Sequence, residues 1–175
     1  IYSYDLTTAP SYYNCGDYTY SNFDGNNKYV YYQEGIYVRY RYYETAAADG
    51  YIDYDTTVQF PFGYGLSYTN FDWEVEKTEL GDIGGTINID VKVTNTGDVA
   101  GKDVVELYYA APYDPAEEIE KSSVVLGAFE KTNTLKPGES ETVTLTMNVD
   151  DMASYDYKNN KCYVLSAGDY EFRLQ

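Results

Sequence analysis

From Phe71 onward, apolar and polar residues alternate in short runs. Phe71, Trp73 and Val75 alternate with Asp72, Glu74 and Glu76. Ile87, Ile89, Val91 and Val93 alternate with Asn88, Asp90, Lys92 and Thr94. Val105, Leu107 and Tyr109 share one face of a third run, and residues 124–131 form a fourth. In a fifth, Val143, Leu145, Met147 and Val149 alternate with Thr142, Thr144, Thr146 and Asn148. A period of two belongs to strands, whose successive side chains point to opposite faces. Residues 150–155 predict one helical turn at a corner. Residues 161–165 and 169–174, across Ser166-Ala167-Gly168, predict a closing hairpin. Turn-forming clusters separate the runs: residues 81–85, Asn95-Thr96-Gly97-Asp98 and Leu135-Lys136-Pro137-Gly138-Glu139. Residues 111–122 are a long acidic loop with Pro112 and Pro115. Seven short strands over residues 69–175 predict a two-sheet β-sandwich.

The preceding third lacks this regularity. Residues 1–25 are polar and tyrosine-rich, punctuated by Pro10, Gly16 and Gly25, and predict mostly irregular structure. Residues 28–44 predict two extended pieces divided by Gly35. In the second, Ile36, Val38, Tyr40 and Tyr42 alternate with Tyr37, Arg39, Arg41 and Tyr43, so one face is apolar and the other carries two arginines. Residues 45–50 are a small-residue loop, with a short helical turn as the other reading. The stretch from Gln59 to Thr69 joins one proline, two glycines and several rings. Proline fixes φ and glycine frees it, so this is a bent connector. It divides residues 1–68, too few and too irregular to cover their own rings, from 69–175.

Charge narrows the function classes. There are 29 acidic and 12 basic residues, a net charge of −17. A polyanionic backbone finds no basic face, so no nucleic-acid partner is expected, and anionic lipid is disfavoured likewise. No run is long and apolar enough for a membrane span. There is no histidine, which removes the usual base of a nucleophilic triad and the commonest metal ligand. The two cysteines, Cys15 and Cys162, form either one disulfide or two free thiols. The chain opens at Ile1 without a methionine, which fits a processed product, a fragment or part of something longer.

Carboxylates are the remaining candidates for chemistry. Glu34, Glu44, Asp49, Asp53 and Asp55 lie in the aromatic segment and could line a pocket; the competing reading is a solvated surface. Arg39 and Arg41 could hold a carboxylate or a sugar hydroxyl, or pair across strands. Asp150-Asp151 and Asp114 with Glu117-Glu118 resemble calcium sites in charge but not in spacing. Gly63 and Gly65 precede no helical pattern, so they cradle no phosphate. Residue chemistry therefore assigns no catalytic, cofactor-binding or metal residue.

Longer motifs carry a resemblance. Tyr32-Gln33-Glu34-Gly35-Ile36-Tyr37-Val38-Arg39-Tyr40-Arg41-Tyr42-Tyr43 and Phe60-Pro61-Phe62-Gly63-Tyr64-Gly65-Leu66-Ser67-Tyr68 resemble glycoside hydrolase family 3, which includes β-glucosidases and β-xylosidases. Val93-Thr94-Asn95-Thr96-Gly97-Asp98-Val99-Ala100-Gly101, Val104-Val105-Glu106-Leu107-Tyr108, Leu126-Gly127-Ala128-Phe129-Glu130-Lys131 and Leu135-Lys136-Pro137-Gly138-Glu139-Ser140 resemble the fibronectin type III-like domain of those enzymes. The resemblance implies the end of an α/β-sandwich domain, largely extended over 1–68, followed by a fibronectin type III-like β-sandwich. In the family, a barrel supplies an aspartate nucleophile and the α/β-sandwich domain commonly supplies a glutamate acid/base, for hydrolysis with retention. Neither motif is present, so the chain alone is expected to be inactive. Its implied partners are the missing barrel and the rest of the α/β-sandwich domain, acting on an oligosaccharide substrate, in a secreted or cell-associated bacterial setting. The alternative is a structural fragment whose tyrosine-rich strands self-associate into oligomers or filaments. One departure concerns Arg39, which stands where the family pattern Tyr-Val-Gly-Tyr-Arg has glycine; an arginine there needs room or a new partner.

Overall fold

The computed structural model describes residues 2–9, 12, 15–18 and 27–175. Contacts divide the chain into two units, Ile1–Tyr64 and Gly65–Gln175.

In the first unit, β1 (Tyr2–Ser3) pairs antiparallel with β4 (Val58–Phe60), and β2 (Cys15–Tyr18) with β3 (Asn27–Val30). A 3-10 turn, Leu6–Thr8, follows β1. The irregular structure expected over 1–25 is thus interrupted by strands, and the rest of that stretch lies outside the described residues. The strand expected over 36–43 is not formed. The chain turns at Arg39 and enters α1 (Tyr40–Ala48), followed by α2 (Tyr54–Thr57). Tyr43 and Ala46, three positions apart on one helical face, are its buried residues. Three alanines in its last turn favour helix intrinsically. Gly50, at φ 76°, closes it: Gly50 N–H bonds the Ala47 carbonyl and Tyr51 N–H the Ala46 carbonyl. These are the paired C-terminal bonds that a left-handed glycine permits. Among the described residues of this unit only Tyr43, Ala46 and Val58 are buried.

The second unit is an antiparallel sandwich. One sheet has the order β5 (Phe71–Glu79), β6 (Thr86–Asn95), β9 (Ser140–Asn148). The other is β12 (Glu171–Leu174), β7 (Val104–Ala110), β8 (Val125–Lys131). Ile87, Ile89, Val91 and Val93 of β6 stand opposite Met147, Leu145, Val143 and Glu141 of β9. The two rows meet Val105, Leu107 and Tyr109 of β7 in one core. Each such fully buried aliphatic contributes about 1.5–3 kcal/mol relative to exposure.

The expected closing hairpin is corrected. Residues 162–164 form β11 (Cys162–Val164), which pairs back onto β10 (Ser154–Asp156), while β12 crosses to β7. The sandwich unit therefore holds eight strands rather than seven. The cause is Asp156, 2% exposed, whose carboxylate accepts the N–H groups of Lys158, Asn159 and Asn160 and the Asn160 amide. That binds a tight turn between β10 and β11. The predicted corner turn is a 3-10 helix, Val149–Met152.

Candidate functional site

In the first unit, the aromatic connector is built on α1 and β4. Tyr40, at the first turn of α1, stacks tilted on Phe62 with centroids 4.9 Å apart, and Phe60 meets Tyr64 at 4.9 Å. Tyr64 N–H bonds the Pro61 carbonyl, and Gly63 sits at φ 78°, so Pro-Phe-Gly-Tyr is a closed turn with rings on both flanks. On α1 itself Tyr42 and Tyr43 meet edge to face at 5.2 Å.

Of this unit's candidate carboxylates, Glu44 and Asp55 both act on the Tyr54 phenol, whereas Asp49 and Asp53 stand at helix ends. Glu44 accepts a 2.6 Å hydrogen bond from the Tyr54 hydroxyl. Burial first, and then Glu44 itself, push that phenol well above its ordinary value. Asp53 caps α2, accepting the Thr56 N–H at 3.3 Å. Asp49 ends α1 as its C-cap, and its N–H bonds the Thr45 carbonyl. Glu34 contributes its carbonyl to a turn with Tyr37 N–H. The arginines do not pair across strands, because no strand exists there. Arg41 lies in the first turn of α1 with its Nε 3.5 Å from the Tyr40 hydroxyl. Arg39 is the exposed N-cap of α1 at φ 58°, ψ −127°, without a side-chain capping bond. This is a backbone conformation suited to glycine.

In the sandwich unit, the acidic pairs are individually engaged. Asp114 caps a 3-10 turn, Pro115–Glu117, through the Ala116 N–H at 2.9 Å. Asp150 accepts from Gly84 N–H and Asp151 from the Asn148 amide. No group of three or more acidic or cysteine side chains suited to a metal occurs among the described residues. Glu117 belongs to a cluster that sequence reading missed. Lys121 Nζ, nearly buried, donates to the Pro112 carbonyl at 2.6 Å, Ser166 Oγ at 2.7 Å and Glu117 Oε2 at 2.8 Å. Lys121 and Ser166 together hold the Glu117 carboxyl below its ordinary range. The lysine pins the long loop to the segment before β12. The four-residue interval from Glu117 to Lys121 was the available signal. Cys162 is a free, exposed thiol, and the side chain of Cys15 lies outside the described residues.

Trp73 in β5 donates its indole N–H to Asp103 at 2.7 Å and is partly exposed. No helix of the described chain is long and apolar enough to cross a membrane.

Comparison with known proteins places these features. Residues 103–175 match the model of the fibronectin type III-like domain. Beta-glucosidase A of Butyrivibrio fibrisolvens is 40% identical over 168 residues, covering 87% of this chain and 19% of its own length. A beta-glucosidase of Ruminococcus albus is 40% identical over 174 residues, covering 97% of this chain and 16% of its own. Among solved structures, a beta-glucosidase from Paenibacillus barengoltzii covers 99% of the chain at TM-score 0.80 and 42% identity, using 17% of its own chain. Beta-glucosidase 3B of Thermotoga neapolitana, solved with glucose, covers 83% at TM-score 0.66 and 40% identity. The chain spans less than a fifth of the length of the curated relatives it matches.

Proposed function

Because the chain is homologous along most of its length to one segment of the β-glucosidases of glycoside hydrolase family 3, we propose that it is a non-catalytic portion of such an enzyme. The observation that carries this is the 40% identity over nearly the whole chain within less than a fifth of a β-glucosidase. The individually engaged carboxylates support it. Hydrolysis with retention needs two carboxyl groups facing one bond, about 5–5.5 Å apart. Glu44, Asp53, Asp114, Asp150 and Asp151 are instead each bonded to a hydroxyl, a backbone N–H or a side-chain amide. The parent enzyme would cleave a β-glucoside with retention. Its barrel and the rest of its α/β-sandwich domain would cover the rings of the first unit. The fibronectin-like unit would brace that assembly.

Purified chain is expected to leave an aryl β-glucoside intact, and co-expression with a barrel-bearing remainder of a homologous enzyme is expected to restore turnover. Hydrolysis by the chain alone would overturn this reading. A second reading, self-association, is favoured by the exposed rings Tyr32, Tyr51 and Tyr68, the last fully exposed. Sedimentation over a concentration series separates the two, since a persistent monomer defeats self-association.

A further inference from the structure

We propose that residues 112–122 are a strap, latched by Lys121 over the outer face of the second sheet, and that acid releases it as one unit while the sandwich stays folded.

Burial shows that this face is covered. In β7, Leu107 and Tyr109 point into the core, so Tyr108 between them points out, yet it is 4% exposed. Ile119 and Val124 are also buried, and they too lie outside the main core. Ile119 belongs to the strap and Val124 follows it.

Both ends of the strap fasten at one place. Pro112 sits against Gly168, where an added Cβ would come 2.8 Å from the Pro112 Cβ. Lys121 returns to the same segment. Its ammonium has three hydrogens, and the Pro112 carbonyl, Ser166 Oγ and Glu117 Oε2 take all three. Ser166 Oγ donates in turn to the same Glu117 oxygen at 2.7 Å. The receiving segment is itself fixed, because Tyr170 packs against the core and donates its hydroxyl to the Ser166 carbonyl at 3.1 Å. Farther along, the strap meets the β10–β11 ribbon through exposed contacts. Lys158 Nζ lies 3.9 Å from Glu118, and the Tyr157 hydroxyl 3.5 Å from Glu120. Such surface contacts hold weakly.

Two features oppose the latch. Glu118 lies at φ 55°, ψ 22°, a left-handed conformation disfavoured for a residue with a Cβ. Ser122 Oγ, at the end of the strap, is buried with no hydrogen-bond partner among the described residues. Opening relieves both, since Glu118 can rotate back and Ser122 reaches water. The strap is thus a two-state element whose shut form depends on the Lys121 cluster.

Glu117 is the trigger. The Lys121 side chain is 3% exposed, and Glu117 supplies its counter-charge. Pro112 and Ser166 are neutral acceptors. Protonating Glu117 therefore leaves a buried ammonium unmatched, which opening to water relieves. The other charged and titratable groups around it supply no replacement. Asp114 is engaged by the Ala116 N–H, Glu118 faces Lys158, and Glu120 faces Tyr157. The Tyr170 phenol is raised by burial and then by Glu117 itself. Bonds from Lys121 and Ser166 hold the Glu117 carboxyl below its ordinary 4.5. The latch is therefore complete above that value and lost as pH falls through the folded one.

The test is amide-exchange protection at residues 116–118 of the full chain, with nitration of Tyr108 as the reading of the face beneath. At pH 7, Glu117→Gln should lower that protection about tenfold and speed Tyr108 nitration, while β6 and β9 keep their protection. Asp156 is still ionised at that pH, so the β10–β11 ribbon stays ordered. The unaltered chain should show the same loss of protection below pH 4.5. Lys121→Met keeps the stem and removes the charge, so its strap should show no acid step. Strap protection in Glu117→Gln equal to that of the unaltered chain would overturn the proposal. So would an acid step that persists in Lys121→Met, or a strap that opens only together with β6 and β9. Opening that leaves Tyr108 unmodified would remove the strap as its cover. Should Glu117→Gln fail to fold, the acid titrations of the unaltered chain and of Lys121→Met still decide.

Discussion

Thr69 Oγ1 donates to Asn95 Oδ1 at 2.7 Å, a buried bond between residues 26 apart in sequence. Thr69 precedes β5, and Asn95 closes β6. The Asn95 amide also donates to the Val99 and Leu135 carbonyls, each at 2.8 Å, and its oxygen accepts the Gly97 N–H at 3.1 Å. One fully buried side chain thus ties together the start of β5, the turn after β6 and the approach to β9.

Asn95→Ala strips partners from several buried groups at once. A loss of about 2–4 kcal/mol in urea unfolding of the full chain is expected. Thr69→Val, which removes a single donor, should cost less than half as much.

Gly101 lies under Thr69. A Cβ built there would come 2.7 Å from Thr69 Cγ2 and 3.2 Å from the Phe71 ring. Gly101→Ala should therefore destabilise by about 1–3 kcal/mol. Thr69→Ser keeps the hydroxyl and deletes the clashing methyl. The double variant should lose less than the sum, with a coupling of about 1 kcal/mol in a double-mutant cycle.

Arg39→Gly should strengthen α1. Releasing a non-glycine residue from φ 58°, ψ −127° recovers part of about 1–3 kcal/mol of strain, offset by the greater freedom of glycine in the unfolded chain. A net gain of about 1 kcal/mol corresponds to roughly fivefold slower exchange of the α1 amides. Arg39→Ala, which removes the charge but keeps the Cβ, should leave that exchange unchanged.

Acid should loosen the β10–β11 ribbon. The N–H groups of Asn159 and Asn160 are the largest causes holding the Asp156 carboxyl below its ordinary value of 3.8. A group lowered in the folded state adds stability that is complete above that ordinary value and lost as pH falls through the folded one. Tyr155 and Tyr163 meet edge to face at 5.2 Å across the ribbon, so their ring resonances should broaden together below about pH 4. In Asp156→Asn the ribbon should already be loose at neutral pH and show no further acid step.

The sandwich was legible in the sequence because its core strands alternate cleanly. Ile87 to Val93 and Val143 to Met147 announce buried rows, and every one of those apolar residues is buried. Alternation failed at residues 36–43. Tyrosine favours strands yet also packs on a helix, and the backbone reversal at Arg39 is hidden when its residue is not glycine. The last hairpin was misplaced for a related reason. Ser166-Ala167-Gly168 looks like a turn, but the carboxylate of Asp156 organises Lys158 to Asn160 into a tighter one. An aspartate ahead of two asparagines was the readable sign. Of the Lys121 cluster only the Glu117–Lys121 interval was legible, because its other partners, Pro112 and Ser166, meet only once β12 has crossed to β7.

That crossing has a kinetic consequence. Val105 and Leu107 of β7 cannot be enclosed until β9 has paired with β6 and β12 has reached β7, and both pairings join residues at least 46 apart. Such non-local closure predicts folding in milliseconds to seconds, measurable by stopped-flow fluorescence of Trp73. On a ribosome, therefore, a row of valine and leucine would stay wet until β12 cleared the exit tunnel.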